Sequence, residues 1–385
     1  VLPSHGHVQT GRYAPPRAPA VQQSSPAAGG RLRPPSGPAA DLQDLYWPPV
    51  RPFTGLDPEL AAFLRCSPAS RAARLRRLRG DAEAHGRFLH EHLAVLYTQA
   101  FGYRDAPAAR APDDDLEIAL FAARTRLERE LFDHWAAPAP VPRLGRQEEA
   151  ADYLDALAAG NPGASHPLFR YLAEDASREQ IEFFLRCELF RNEVVDDEVA
   201  LLVVGLQGMQ KAVAAANLWD ECGRGRLENF HTHWLRRQAG SPTGWEALVR
   251  HREHRPWFAK LTSNVFTALL TRPSRTQAAY GCFLVFESWV EPHFTLLLRG
   301  MDRVGIHDED TRVYFTAHAR IDPRHSRELS DGLRAQRPRP APQALQGVLY
   351  GAHLAVDTGV RQYDRMLRHL RSSGAVGAQQ GPDGP

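Results

Sequence analysis

Two imidazoles and a carboxylate recur in the run His318-Ala-Arg-Ile-Asp322-Pro-Arg-His325, spaced four and then three residues apart. On a helix that spacing turns all three side chains to one face. Neutral imidazole combined with carboxylate is a ligand set suited to iron, manganese or zinc. The competing reading is a solvated helix end carrying two histidines beside arginines. Pro323 lies inside the run, lacks an N–H and crowds the preceding turn, so a kinked or locally loose helix is expected there.

Three further stretches carry residues of the same chemical types. In Asn217-Leu-Trp-Asp-Glu221-Cys-Gly223-Arg-Gly225-Arg-Leu-Glu228-Asn-Phe-His231, two glycines interrupt a helix, so Glu221 and His231 can converge across a bend. Glu228 and His231 also make a Glu-x-x-His pair, the element used in carboxylate-bridged metal bundles. The plain alternative is a glycine turn between helices with an exposed glutamate. In Phe283-Leu-Val-Phe-Glu287-Ser-Trp-Val-Glu291-Pro-His293-Phe, Glu287 is surrounded by apolar residues. A carboxylate buried there is costly unless a cation offsets it; an exposed stripe would be the other explanation. Glu188, within Phe183-Phe184-Leu185-Arg-Cys187-Glu188-Leu189-Phe190, follows the same logic, although Arg186 or Arg191 offers it an ordinary partner. Together these stretches supply four carboxylates (Glu188, Glu221, Glu287, Asp322) and three imidazoles (His231, His318, His325). That count is about what two divalent cations in a low-dielectric bundle need.

The stretches NLWDECGRGRLENFH, FLVFESWVEPHF and YFTAHARIDPRH, in that order, resemble those of the heme-oxygenase-like diiron oxidases, also described as iron-containing redox enzymes. The resemblance spans residues 160–330, and the His-x3-Asp-x2-His element is its most specific part. It implies metal-ligand roles for Glu221, His231, Glu287, His318, Asp322 and His325, and matches Glu188 to an earlier family glutamate. Glu193 and Glu198 compete with Glu188 in that alignment, and Glu228 competes with Glu221. The resemblance further implies a bundle of seven core helices that binds two irons instead of heme and uses O2 as co-substrate to oxidise a small molecule. Such members N-oxygenate amines or guanidines, cleave C–C bonds of amino acids, or desaturate fatty acids with decarboxylation. Manganese suits the same ligands, and an external electron donor and a homodimer are compatible with the class. Trp219, Phe230 and Trp289, with Phe286 and Phe294, are candidates to line the substrate pocket; ordinary core packing is the alternative for each.

The elements that must position these residues read as helices throughout. Apolar periodicity predicts helices over Gln147–Ala159, His166–Ala173, Ser177–Phe190, Asp196–Ala216, Arg226–Gln238, Ser263–Leu270, Ser274–Val304, Glu309–Leu333 and Pro342–Arg371. No period-two alternation bounded by turns is present, so the fold class is all-α. Residues 1–40 are rich in Pro, Ala, Gly and Ser and are expected to be a disordered tail. Residues 41–146 read as an N-terminal helical segment packing on the rest, 147–372 as the metal-binding bundle, and 373–385 as a second disordered tail.

Bulk properties exclude several classes. A net charge of +2 over 385 residues gives no nucleic-acid surface. The four cysteines form no CxxC pair, which argues against a zinc knuckle or a disulfide framework. No secretory signal and no membrane span is read, so a cytoplasmic setting is expected. GxSxG, Walker, GxGxxG and HExxH patterns are absent. A ferritin-like site would need two Glu-x-x-His pairs, and this chain has only Glu228–His231 among its candidates. A heme-binding or metal-free bundle acting as an interaction protein is the remaining alternative.

Overall fold

The computed structural model describes residues 58–100, 114–136, 140–239 and 254–378, except the side chains at 98–100, 114, 116, 320–323 and 374–378. Among the described residues there is no strand; a single antiparallel bridge pairs Cys222 with Phe230. The first helices are α1 (Pro58–Arg65), α2 (Pro68–Leu78), α3 (Ala82–Ala100) and α4 (Asp114–Glu130), the last running into a π-helical turn at Leu131–Trp135. They are followed by α5 (Gln147–Gly160), α6 (Pro167–Glu174), α7 (Arg178–Asn192), α8 (Val195–Gly205), α9 (Gly208–Glu221) and α10 (His231–Ala239). The chain closes with α11 (Leu261–Leu270), α12 (Thr276–Arg303), α13 (Glu309–Ala335) and α14 (Pro342–Ala378). The architecture is the all-α, heme-oxygenase-like bundle expected from the sequence, with additional N-terminal helices. The tail expected over 1–40 lies outside the described residues. The other expected tail does so from 379 onward, while α14 extends into its first part.

Local signals start the helices that carry the site. Ser177 opens α7 with a reciprocal cap: its Oγ accepts from Gln180 N, and its own N–H donates to Gln180 Oε1. Asp308 caps α13 by accepting from Thr311 N at 2.9 Å. The centre of the bundle is α12, which is apolar around most of its circumference and packs chiefly on α13 and α14, then on α6. Its approach to α14 depends on two glycines. A Cβ on Gly281 would stand 1.9 Å from Val348 O, and one on Gly351 would stand 1.8 Å from Ala278 O. The two backbones therefore meet without intervening side chains.

Two boundaries differ from the periodicity. The single helix expected over Asp196–Ala216 is two helices, because the chain turns between Gly205 and Gly208, where Gly208 takes φ +54°. The helix expected from Arg226 begins at His231 instead, preceded by short 3-10 turns at Gly223–Gly225 and Leu227–Asn229. Both breaks lie between residues that meet at the candidate site.

Candidate metal centre

Glu221 ends α9 and His231 begins α10. Between them Gly223, Arg224 and Gly225 take φ of 56°, 54° and 78° in succession. A Cβ on Gly223 would lie 2.5 Å from the Asn229 carbonyl carbon, so no other residue fits that turn unshifted. Arg224 occupies the left-handed region at a cost of about 1 kcal/mol, and its Nε donates to Asp220 Oδ1 at 2.6 Å. The chain thus doubles back and brings His231 Nδ1 to 2.6 Å from Glu221 Oε2. Their angles do not make a hydrogen bond, and both atoms are buried without a hydrogen-bond partner.

His318 approaches from α13, its ring centroid 4.2 Å from that of His231. Ligand-type atoms of Glu221, His231 and His318 all lie within 4.8 Å of one another, and all three residues are buried. His318 Nδ1 donates to the Tyr314 carbonyl at 2.7 Å, which leaves Nε2 as its acceptor atom. Burial, reinforced by His231, holds the His318 imidazole well below its ordinary pKa, so it is neutral.

The second half of the site is Glu287 from α12 with His325 from α13. His325 Nδ1 meets Glu287 Oε2 at 3.3 Å, and its Nε2 meets Asp220 Oδ2 at 3.1 Å. Burial alone would lower His325, but hydrogen bonds to Glu287 and Asp220 outweigh it and raise it to about 9. Glu287 is pushed upward by burial, opposed by His325. Burial would raise Asp220, but Arg224 and His325 outweigh it and hold the carboxyl below its ordinary range; Asp220 Oδ2 also accepts from Arg324 Nη2 at 2.8 Å. Reading the sequence for ligands passed over Asp220, which stands beside Glu221 as one more acidic residue near a helix end; only its contact with His325 singles it out.

A cavity with about 550 Å³ of atom-free space, its open mouth included, adjoins these groups. Glu221, Glu287 and His318 line it, and so does Glu198 of α8. Glu198 is 6 % exposed and raised to about 8 by burial, partly offset by Arg191 and by a hydrogen bond from Thr267 Oγ1 at 3.2 Å. Glu188 takes a different place. It is buried, but it does not line the cavity, and its nearest cation is Arg191 at 3.9 Å. Of the acidic residues weighed in this stretch, Glu198 rather than Glu188 lines the cavity, beside Arg191 and Asn192 at the end of α7. Glu228 is exposed in its 3-10 turn, where its carbonyl accepts from Trp234 Nε1 at 3.0 Å. The side chain of Asp322 lies outside the described residues, as does that of Pro323, where the kink was expected.

The aromatics weighed as pocket-lining fall in different places. Trp219 is 56 % exposed and covers Gly225, Phe230 is half-buried at the turn, and Trp289 is buried with its Nε1 donating to Asn161 Oδ1 at 2.9 Å. None of the three lines the cavity. Its aromatic wall is Phe266, Phe283, Phe286, Phe294 and Tyr314, so of the five aromatics considered, Phe286 and Phe294 remain.

Helices close around buried carboxylates and imidazoles, three of which place donor atoms where they could hold a metal ion. Residues 182–360 match the model of a family described as iron-containing redox enzyme, so the resemblance carried by the motifs holds over that segment. A search of curated proteins finds no match. The family description supports an oxidoreductase that works with iron. Among the described residues, no helix is long and apolar enough to cross a membrane.

Proposed function

We propose that the chain is a non-heme diiron oxidase or oxygenase that uses O2 to oxidise a small substrate, by N-oxygenation or oxidative C–C cleavage of an amine or amino-acid derivative. The observation that carries this reading is the buried cluster of Glu221, His231 and His318, in which Glu221 Oε2 and His231 Nδ1 have no hydrogen-bond partner. The donor set fits iron: imidazole and carboxylate without thiolate, Cys222 being the end cap of α9. Glu221, His231 and His318 would hold one ion, and Glu287, His325 and Glu198 a second, with Asp322 assigned to this set by its motif. Burying these carboxylates without cations is costly, which is the physical case for two ions.

Iron bound there would supply the electrons and the O2 chemistry. The chain's own groups do the remaining work. Tyr314 O fixes the His318 tautomer, leaving Nε2 free. Asp220 orients His325 from its far nitrogen, the arrangement that raises ligand basicity in carboxylate–histidine–metal sites. The phenylalanine wall keeps the cavity apolar and strengthens the electrostatics within it.

The test is anaerobic loading of the full chain with Fe(II), followed by O2 exposure under stopped-flow absorbance and Mössbauer spectroscopy. Two irons per chain, both oxidised on exposure to O2, are expected. A single tightly held ion, or no uptake above that of a His231→Ala, His318→Ala double variant, rules the reading out.

A further inference from the structure

We propose that the cavity takes a small carboxylic acid with an apolar, preferably aromatic, body, and that Arg191 is the residue that grips its carboxylate. This deepens the oxidase reading and rests on it for the choice of cavity. Arg191 is the one arginine or lysine among the described residues lining that cavity, where it sits with Asn192, Thr262 and Ser263. Its bonds go to neutral acceptors: Nε donates to Thr262 Oγ1 at 3.3 Å and Nη1 to Asn192 Oδ1 at 3.2 Å. Thr262 in turn donates to Gln362 Oε1 at 3.1 Å, so its lone pair faces Arg191 and the guanidinium is held in one orientation. The nearest carboxylate, Glu188, stands 3.9 Å from Nη1, beyond hydrogen-bond length. Nη2 donates to no described residue.

A second observation is independent of Arg191. The Ser263 hydroxyl, lining the same cavity, is buried and has no hydrogen-bond partner. An anion seated there would receive the guanidinium fork and the hydroxyl together, satisfying donors that the protein leaves unused. Phe286 lies beneath the guanidinium, whose carbon is 5.1 Å from the ring centroid, so the charged end and the apolar wall of the cavity are contiguous. Arg191 is thus a fixed cation in a cavity whose other ionisable lining, among the described residues, is carboxyl, imidazole and phenol.

The experiment is calorimetric titration of the full chain, iron-free and Fe(II)-loaded, with 3-phenylpropanoate, L-phenylalanine and octanoate, each set against its primary amide. The best acid is expected to bind at least about tenfold more tightly than its amide, as a charge-assisted pair would give. R191Q is expected to erase that preference, and S263A to reduce it, with iron stoichiometry unchanged in both. Equal binding of acids and amides by the unaltered chain overturns the proposal, as does failure of every acid to bind. Should R191Q fail to fold, the acid-against-amide comparison and S263A still decide. An acid preference in a chain that takes up no iron would uphold the anchor and sink the oxidase reading; two irons without acid preference would do the reverse.

Discussion

The N-terminal helices and the candidate metal site both bury glutamates, and they surround them differently. Glu128, 1 % exposed, accepts from Arg272 Nε and from the Tyr97 hydroxyl at 3.2 Å. Glu130, 2 % exposed, takes Arg79 in a two-pronged pair at 2.6 and 2.8 Å, which outweighs burial and holds its carboxyl below the ordinary range. Glu198 and Glu287, by contrast, are raised, because burial outweighs what surrounds them. Glu128 and Glu130 each accept a hydrogen bond from an arginine. Glu287 has imidazoles and another carboxylate around it, and Glu198 has a threonine hydroxyl with Arg191 acting only through its charge, and that difference separates scaffold from candidate site.

The largest expected effect tests the site half of this contrast. His318→Ala should lose one of two irons outright, as should Asp322→Ala, while far-ultraviolet circular dichroism stays close to that of the unaltered chain. Retention of both irons in either variant would dissolve the ligand assignment.

Stability measurements sharpen the contrast from both sides. Glu128→Gln should cost about 3 kcal/mol in urea unfolding, since it strands a guanidinium that the carboxylate had neutralised. Glu198→Gln in the iron-free protein should be neutral or stabilising, because its carboxyl already favours the proton at pH 7. Equal losses for the two variants would erase the distinction.

The pH dependence has a defined sign. With its pKa raised to about 9, His325 in the iron-free protein carries a proton that a cation must displace, and Glu198, raised to about 8, carries another. Metal affinity, read by Mn(II) titration, should therefore rise between pH 6.5 and 8.5 by about tenfold per pH unit for each proton released. The His325 interactions work oppositely on the empty fold. Their stabilisation is full below the unfolded pKa of about 6.5 and is lost as pH climbs through 9. A flat Mn(II) affinity would show that neither group binds the ion.

The smallest effect expected is that of Asp220→Asn, which keeps the shape but removes the charge behind His325. Metal affinity should fall about tenfold, whereas Trp219→Ala, one residue away and 56 % exposed, should leave it unchanged.

The residues themselves reveal how much was legible in advance. The helices carrying Glu287 and the His318–His325 run were readable, because three- and four-residue spacing is a property of one helix and needs no partner. The convergence of Glu221 with His231 was readable for a similar reason, since Gly223 and Gly225 announce a turn over a short span. That Glu198 lines the cavity and Glu188 does not, that Asp220 contacts His325, and that phenylalanines rather than Trp219, Phe230 and Trp289 line the cavity were not. Each depends on how helices distant along the chain are rotated against one another, and local periodicity carries no information about that rotation. Composition and spacing thus dictated an all-helical chain bearing imidazoles and carboxylates in motif order. Which of those acids reach a common cavity, and which receive an arginine instead, was settled by packing, because desolvation and pairing exist only once the helices have closed together.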